Sequence, residues 1–213
     1  PHRHVGIPTR LLYKVWEWLG RPRVDRLLGG VDVYHATNYF LPPTERARTA
    51  VTIHDLTFLA RPELCSPKIV GPFSSGVRRF AHRAGAILTY SEATKNDAIR
   101  LLGVSPEKIT VAPLAVDESF QAWPRDEARQ TIEREYGIRE PFLLFVSTLE
   151  PRKNVPALVR TFARLSKNIP HTLVLIGSVG WNAGPILESI EHSGAAHRFV
   201  RPGYVPDNIL PAF

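Results

Sequence analysis

Methionine is absent from this chain and cysteine occurs once, at Cys65. A single cysteine excludes an internal disulfide framework and a cysteine-based zinc site. No apolar run approaches the ~18 residues that a membrane-spanning helix needs. The chain has no Walker loop and no G-x-G-x-x-G fingerprint. It also lacks a G-x-S-x-G nucleophile elbow, a histidine cluster at metal-ligand spacing and the motifs of common nucleic-acid-binding folds. Internal repeats and low-complexity tracts are missing. Nothing resembles a secretory signal, because Lys14 and Glu17 interrupt the early apolar stretch. What is present is ordinary in bulk. Hydrophobic residues make up 44% and charged residues 22% of 213, a globular balance that excludes wholesale disorder, collagen and coiled coil.

Acidic residues are in deficit: 20 Asp and Glu stand against 27 Lys and Arg, for a net charge of +7. Such a balance suits nucleic acid, anionic lipid or phosphorylated substrates, and with no nucleic-acid-binding motif present no nucleic-acid partner is expected. The excess is concentrated near the start, where Arg3, Arg10, Lys14, Arg21, Arg23 and Arg26 face only Glu17 and Asp25. The same stretch carries Leu11, Leu12, Val15, Trp16, Trp18 and Leu19. Two readings fit residues 10–28. One is a basic amphipathic helix on an anionic membrane surface. The other is a surface helix with its apolar stripe packed on a sheet and its arginines solvated.

Short apolar runs alternate with longer helical patterns. Strands are expected at Val31–Ala36, Ala50–Asp55, Ala86–Ser91 and Lys108–Ala112, then at Phe142–Val146, Thr172–Ile176 and Arg198–Val200. The runs are rich in Val, Ile and Leu and near-continuous, as strands covered on both faces are. A helix is expected after Ser91, capped by Ser91 and stopped at Gly103. Another covers Asn154–Ile169, with Asn154 as its cap and Pro156 in its first turn. Asp126–Tyr136 and Gly184–Gly194 read as two more, and Asn38–Thr49 reads as a loop. This alternation implies parallel sheets in an α/β architecture. The aperiodic Pro113–Pro124 is the best break between two Rossmann-like halves, so domains of residues 1–117 and 118–213 are expected.

Four segments could carry chemistry. In Phe145–Val155 a buried strand runs through a polar loop into a helix. Ligands of open α/β sheets bind beyond the carboxyl ends of strands, and a helix start there offers free N–H groups and a positive dipole end. Arg152 and Lys153 add two cations, a combination suited to a diphosphate. In Thr52–Leu56, His54 and Asp55 end a strand. His54 there can orient a hydroxyl or share a proton, or both residues can be structural, with Asp55 capping the next turn. His35 ends the preceding strand in the same manner. In Ile176–Trp181, Gly177 and Gly180 allow backbone to approach a ligand closely. In Gly203–Asp207, Asp207 is expected to cap a final helix.

Taken in this order, the segments resemble glycosyltransferase family 4, a family of retaining, nucleotide-sugar-dependent enzymes with the GT-B fold. The resemblance is carried by Val31–His35, Thr52–Leu56, Ser91–Lys95, Pro113–Asp117, Thr148–Asn154, Leu175–Gly177 and Gly203–Asp207. Its flavour is that of the mannosyltransferase-like members that build bacterial polysaccharides. The resemblance implies two Rossmann-like parallel-sheet domains facing a cleft, with the acceptor on the N-terminal half and the sugar nucleotide on the C-terminal half. It matches Lys153 to the lysine that holds the donor diphosphate, with Arg152, Asn154 and Thr148 beside it. Ser147 or Thr148 stands where many members have a second donor-phosphate arginine. His54 matches the histidine near the transferred sugar, with Asp55 beside it. Gly177 and Val205 match backbone positions around the nucleotide, and Ser91, with His35, lies on the acceptor side.

Two features of the family pattern are not found: an opening strand with a glycine-containing turn, and a late pair of glutamates seven residues apart. The expectation is therefore an internal fragment with both domains incomplete. The whole enzyme is expected to move a hexose, mannose in the first instance, from a GDP- or UDP-sugar to a saccharide or lipid-linked acceptor. It needs no metal and no cofactor, and it works in the cytoplasm or at the inner face of the plasma membrane. Two alternatives remain: a sugar-nucleotide epimerase of GT-B type, and a catalytically inactive chain that only binds nucleotide.

Overall fold

The structure, a computed structural model, describes residues 9–213, so Arg3 lies outside the described residues. The chain divides into two compact units, Pro1–Leu114 and Ala115–Phe213. The first holds a parallel four-stranded sheet of β1 (Val33–Ala36), β2 (Arg48–Ile53), β3 (Ala86–Thr89) and β4 (Ile109–Val111), adjacent in that order. Ala50 pairs with Ala86 and Ile53 with Thr89, so the carboxyl ends of β2 and β3 lie level. Val51, Ile53, Ile87 and Ile109 are buried against two helical segments. One comprises Val77, Phe80 and Ala81 of α4 (Pro67–Arg83). The other comprises Ala98 and Leu102, just beyond α5 (Glu92–Asp97).

The signals around α5 act as expected. Ser91 Oγ accepts the Thr94 N–H at 3.2 Å, and Gly103 takes the left-handed conformation, φ 69°, that ends the helix. Before that stop the backbone widens into a π-helical turn, Ala98–Leu102. The 17-residue α4 is a finding, since residues 67–83 show no clean helical signal. Pro67 fits the first turn, but Gly71, Pro72 and Gly76 argue against a helix. Burial of Val77, Phe80 and Ala81 on one face outweighs them. Further upstream, α1 (Thr9–Leu19) and α2 (Val24–Leu27) replace the single amphipathic stretch. Leu12 is the buried anchor of α1, and two short helical turns, including α3 (Thr57–Ala60), follow β2.

The loop between β1 and β2 is fastened by one carboxylate. Asp25, at the start of α2, is 4% exposed and accepts the N–H groups of Glu45 (2.9 Å), Arg46 (2.7 Å) and Ala47 (3.1 Å). These bonds, the one from Arg46 foremost, hold its pKa far below the ordinary carboxylate value.

The second unit has a parallel sheet of β5 (Phe142–Val146), β6 (Thr172–Ile176) and β7 (Phe199–Gly203), with β6 central. The apolar run of β6 explains its place. Leu173 and Leu175 face Val155, Val159 and Phe162 of α7 (Val155–Leu165) and Ile186 and Ile190 of α8 (Gly184–Glu191). Val174 and Ile176 project to the other side, against Ile132 of α6 (Arg125–Tyr136), Ile138 and Val205. On β5, by contrast, Leu143, Leu144 and Val146 are exposed. β5 pairs with β6 alone among the described strands.

Two expectations need correction here. α7 ends at Leu165, four residues early, and Asn154 makes no side-chain capping bond, because it sits in the left-handed region, φ 51°, at the junction of two helical turns. No final α-helix starts at Asp207. The chain makes a one-turn 3-10 helix, Leu210–Ala212, and Asp207 instead accepts from the Tyr204 hydroxyl at 3.4 Å. Pro211 has no N–H to donate back to Asp207, the bond that would open an α-helix there.

Candidate functional site

The candidate donor residues collect at the carboxyl end of the second sheet. Beyond β5 the chain runs through Ser147, Thr148 and Leu149 into a 3-10 turn, Pro151–Lys153, that carries both cations. Lys153 and Arg152 are exposed there, and Asn154 joins this turn to α7. Backbone bonds make the platform beneath them. Ser147 N–H donates to Ile176 O and Leu149 N–H to Ser178 O, both at 2.9 Å. Gly180 N–H returns to Leu149 O at 3.0 Å, and Gly177 N–H reaches Gly203 O at 2.8 Å. The ends of all three strands are thereby tied together.

Glycine is required at two points of that platform. Gly177 has φ 133°, and a Cβ on it would lie 2.2 Å from Ser147 O. A Cβ on Gly180 would lie 2.7 Å from Thr148 Cγ2 and 2.9 Å from Leu149 O. Thr148, Gly177 and Gly180 are therefore in direct contact range, as their places at neighbouring strand ends require. Val205, two residues beyond β7, is buried and helps form the floor.

The sequence pattern did not anticipate Glu150. Its Oε1 lies 3.1 Å from Arg152, so the second cation of the turn is engaged by a carboxylate. The only signal for it is its place two residues before Arg152. Among the described residues there is no group of three or more histidine, cysteine or acidic side chains placed to hold a metal ion.

The first unit brings His54, Asp55 and Ser91 to the level ends of β2 and β3. The His54 ring packs between Tyr39 and Tyr90, with centroids 5.3 and 5.1 Å away. Thr94 links the segments: its Oγ1 donates to His54 O at 3.3 Å and lies 3.1 Å from Ser91 Oγ. Asp55 Oδ1 accepts the Thr57 N–H at 2.9 Å, which is the capping alternative, while its own N–H donates to the Tyr39 hydroxyl at 3.1 Å. His35 stands apart, with Nε2 2.8 Å from the buried Thr52 Oγ1. Tyr39, Tyr90 and Thr94 are additions to the sequence-based set. Tyr39 owes its position to a left-handed backbone, φ 46°, which no pattern of residue types marks.

Two parallel-sheet units of this kind, each with its candidate groups at strand carboxyl ends, have the GT-B fold. The glycosyltransferase family 4 profile matches residues 1–120, more than half the chain, and the chain belongs to that family. It is 28% identical over 183 residues to O-antigen chain mannosyltransferase B of Escherichia coli, covering 84% of this chain and 47% of that enzyme. It is 26% identical over 144 residues to a GDP-mannose-dependent alpha-(1-6)-phosphatidylinositol monomannoside mannosyltransferase of Mycolicibacterium smegmatis, covering 65% of this chain and 36% of that enzyme. Among solved structures, Anabaena HepE in complex with UDP and glucose superposes with a TM-score of 0.67 at 18% identity, covering 95% of this chain and 53% of HepE. The chain thus spans about half the length of the mannosyltransferase B and HepE chains it matches.

Proposed function

We propose that the whole protein is a retaining glycosyltransferase. It moves a hexose, mannose in the first instance, from a nucleotide diphosphate sugar to a saccharide or lipid-linked acceptor at the cytoplasmic side of the membrane. The carrying observation is the Pro151–Asn154 turn: two adjacent cations on a rigid backbone platform at a strand carboxyl end. Cleavage of the sugar–phosphate bond leaves charge on the diphosphate. Lys153 and Arg152 are placed to stabilise that charge electrostatically, the contribution that is commonly largest in such sites. To bind it, Arg152 exchanges Glu150 for phosphate oxygens. Gly177 and Gly180 let the loops beyond β5 and β6 pack closely enough to support the Pro151–Asn154 turn. HepE in complex with UDP and glucose, and the relative named as GDP-mannose-dependent, support a nucleotide-sugar partner without choosing its base.

On the acceptor side, His54 is held by two tyrosine rings and by its own carbonyl, leaving ring nitrogens to meet a hydroxyl. Ser91 lies beside it at the end of β3, linked through Thr94, while His35 is set back against Thr52.

Titration of the chain with GDP and with UDP tests the donor site, and the tighter ligand names the base. Incubation of the whole protein with labelled GDP-mannose then tests the reaction. Label transferred to a saccharide supports the reading. Free epimerised sugar, or failure of both nucleotides to bind, sinks it.

A further inference from the structure

Tyr39 has φ 46°, a conformation that residues with a bulky side chain rarely adopt. Its N–H donates to Thr52 O at 3.0 Å, and its hydroxyl accepts the Asp55 N–H at 3.1 Å. Those two bonds bracket His54, and the tyrosine ring stands edge-on to the imidazole, 5.3 Å between centroids. The same ring also meets Phe73 at 5.2 Å and Phe58 at 5.5 Å. Tyr39 is thus a wall shared by the acceptor-side histidine and the space against Phe73.

That space is a slot of about 290 Å3, lined by the rings of Tyr13, Tyr39, Phe40, Phe73 and Phe80, with Gly76 of α4 among them. A Cβ on Gly76 would stand 2.5 Å from Phe80 Cε2. The glycine, unfavourable in mid-helix, is therefore what leaves the Phe80 ring its place on the wall. Of the three side-chain hydroxyls on the walls, two are already bonded: Tyr39 to the Asp55 N–H, and Ser75 Oγ to Pro72 O at 3.2 Å. A sugar ring in the slot would leave most of its hydroxyls without partners, a costly arrangement, whereas hydrocarbon would not. The volume is about twice the ~150 Å3 that encloses one benzene, room for about ten carbon atoms.

We propose that this slot is an acceptor subsite for hydrocarbon: it seats the apolar chain of a lipid-linked acceptor so that the sugar the chain carries meets His54 across Tyr39. Such seating rests on the acceptor reading of His54 and narrows the acceptor to the lipid-linked class. An isolated apolar slot would suit any hydrophobic partner, but the shared Tyr39 wall ties this one to the place where the acceptor hydroxyl is held. No bond forms or breaks in the slot, which supplies affinity and orientation.

Calorimetric titration of the chain with methyl α-mannoside, and with decyl α-mannoside below its micelle concentration, measures what the hydrocarbon adds. The decyl compound should bind at least about tenfold tighter, a gain that burial of about two methylene groups already supplies. Ser75→Trp, which adds bulk to a wall from an exposed position, should abolish that preference. Tyr13→Ala, which removes an exposed ring of the wall, should lower it severalfold and decides the matter should Ser75→Trp fail to fold. Equal affinity for the two mannosides, or parental preference in both variants, would overturn the proposal. Transfer of labelled sugar by the whole protein separates the two readings. Transfer to both mannosides with the same kcat/KM leaves the transferase standing and sinks the subsite. Tighter decyl binding with no transfer to either keeps a hydrocarbon slot and sinks the transferase.

Discussion

Gly177 lies against Ser147 so closely that a single added methyl group would stand 2.2 Å from the Ser147 carbonyl oxygen. The contact joins the ends of β6 and β5, and Ser147 N–H donates back to Ile176 O at 2.9 Å. Gly177→Ala must therefore move one strand end or the other, and it also places a side chain at φ 133°. The expected cost is about 1–3 kcal/mol of stability, typical of strained backbone. Nucleotide binding should fall with it. Denaturant unfolding and a GDP or UDP titration of the same sample check both, and an unaltered variant would show that the two loops are not coupled.

Lys153 makes a simpler prediction. Lys153→Ala should weaken nucleoside diphosphate binding by about 1–3 kcal/mol, the loss of one charged hydrogen-bond partner. The unfolding midpoint should stay put, because the side chain is exposed. Calorimetric titration settles it: parental affinity would remove Lys153 from the site.

Glu150 predicts the opposite sign. Its carboxylate lies 3.1 Å from Arg152 and competes with phosphate oxygens for it. Glu150→Gln should tighten nucleoside diphosphate binding by about 0.5–1 kcal/mol, the usual worth of an exposed ion pair. The gain should shrink as salt is added. Weaker binding in the variant would mean that Glu150 orients Arg152 instead of occupying it.

Asp25 ties stability to pH. Its folded pKa is depressed, so its contribution is present above the unfolded carboxylate value of about 3.9 and is lost as the pH falls through the folded one. Asp25→Asn should be less stable than the parent near neutrality, and the gap should narrow in acid. Melting curves of both proteins from neutral pH downward test this. A gap that stays constant with pH would show that the amide and the charged carboxylate differ by geometry alone.

Much of this arrangement is legible in residue order. The runs at Phe142–Val146 and Thr172–Ile176 coincide with β5 and β6; β6 is buried on both sides and so has no alternation to misread, and β5 carries the same continuous apolar run although much of it is exposed. Ser91 and Gly103 mark a helix through side-chain chemistry that acts locally. Helix α4 is hidden for the opposite reason: its prolines and glycines are unfavourable locally and are outweighed by packing on a sheet distant in sequence. At the site, the strand-end positions of Lys153, Gly177 and His54 follow from the α/β pattern. Glu150 beside Arg152 and Tyr39 beside His54 do not, since each depends on how a loop turns back. Asn154 shows the limit of cap preferences: a residue type that favours capping also favours the left-handed conformation, and here the second use prevails.

The outer edge of β5 has a bearing on how the isolated chain behaves in a tube. Leu143, Leu144 and Val146 form an apolar, uncharged margin whose backbone is ready to extend the ladder. Such a margin templates sheet growth between molecules, a process that accelerates with protein concentration. A lysine at Leu144 would act as a gatekeeper, so the practical handle on solubility lies on this strand and away from the cations of the Pro151–Asn154 turn.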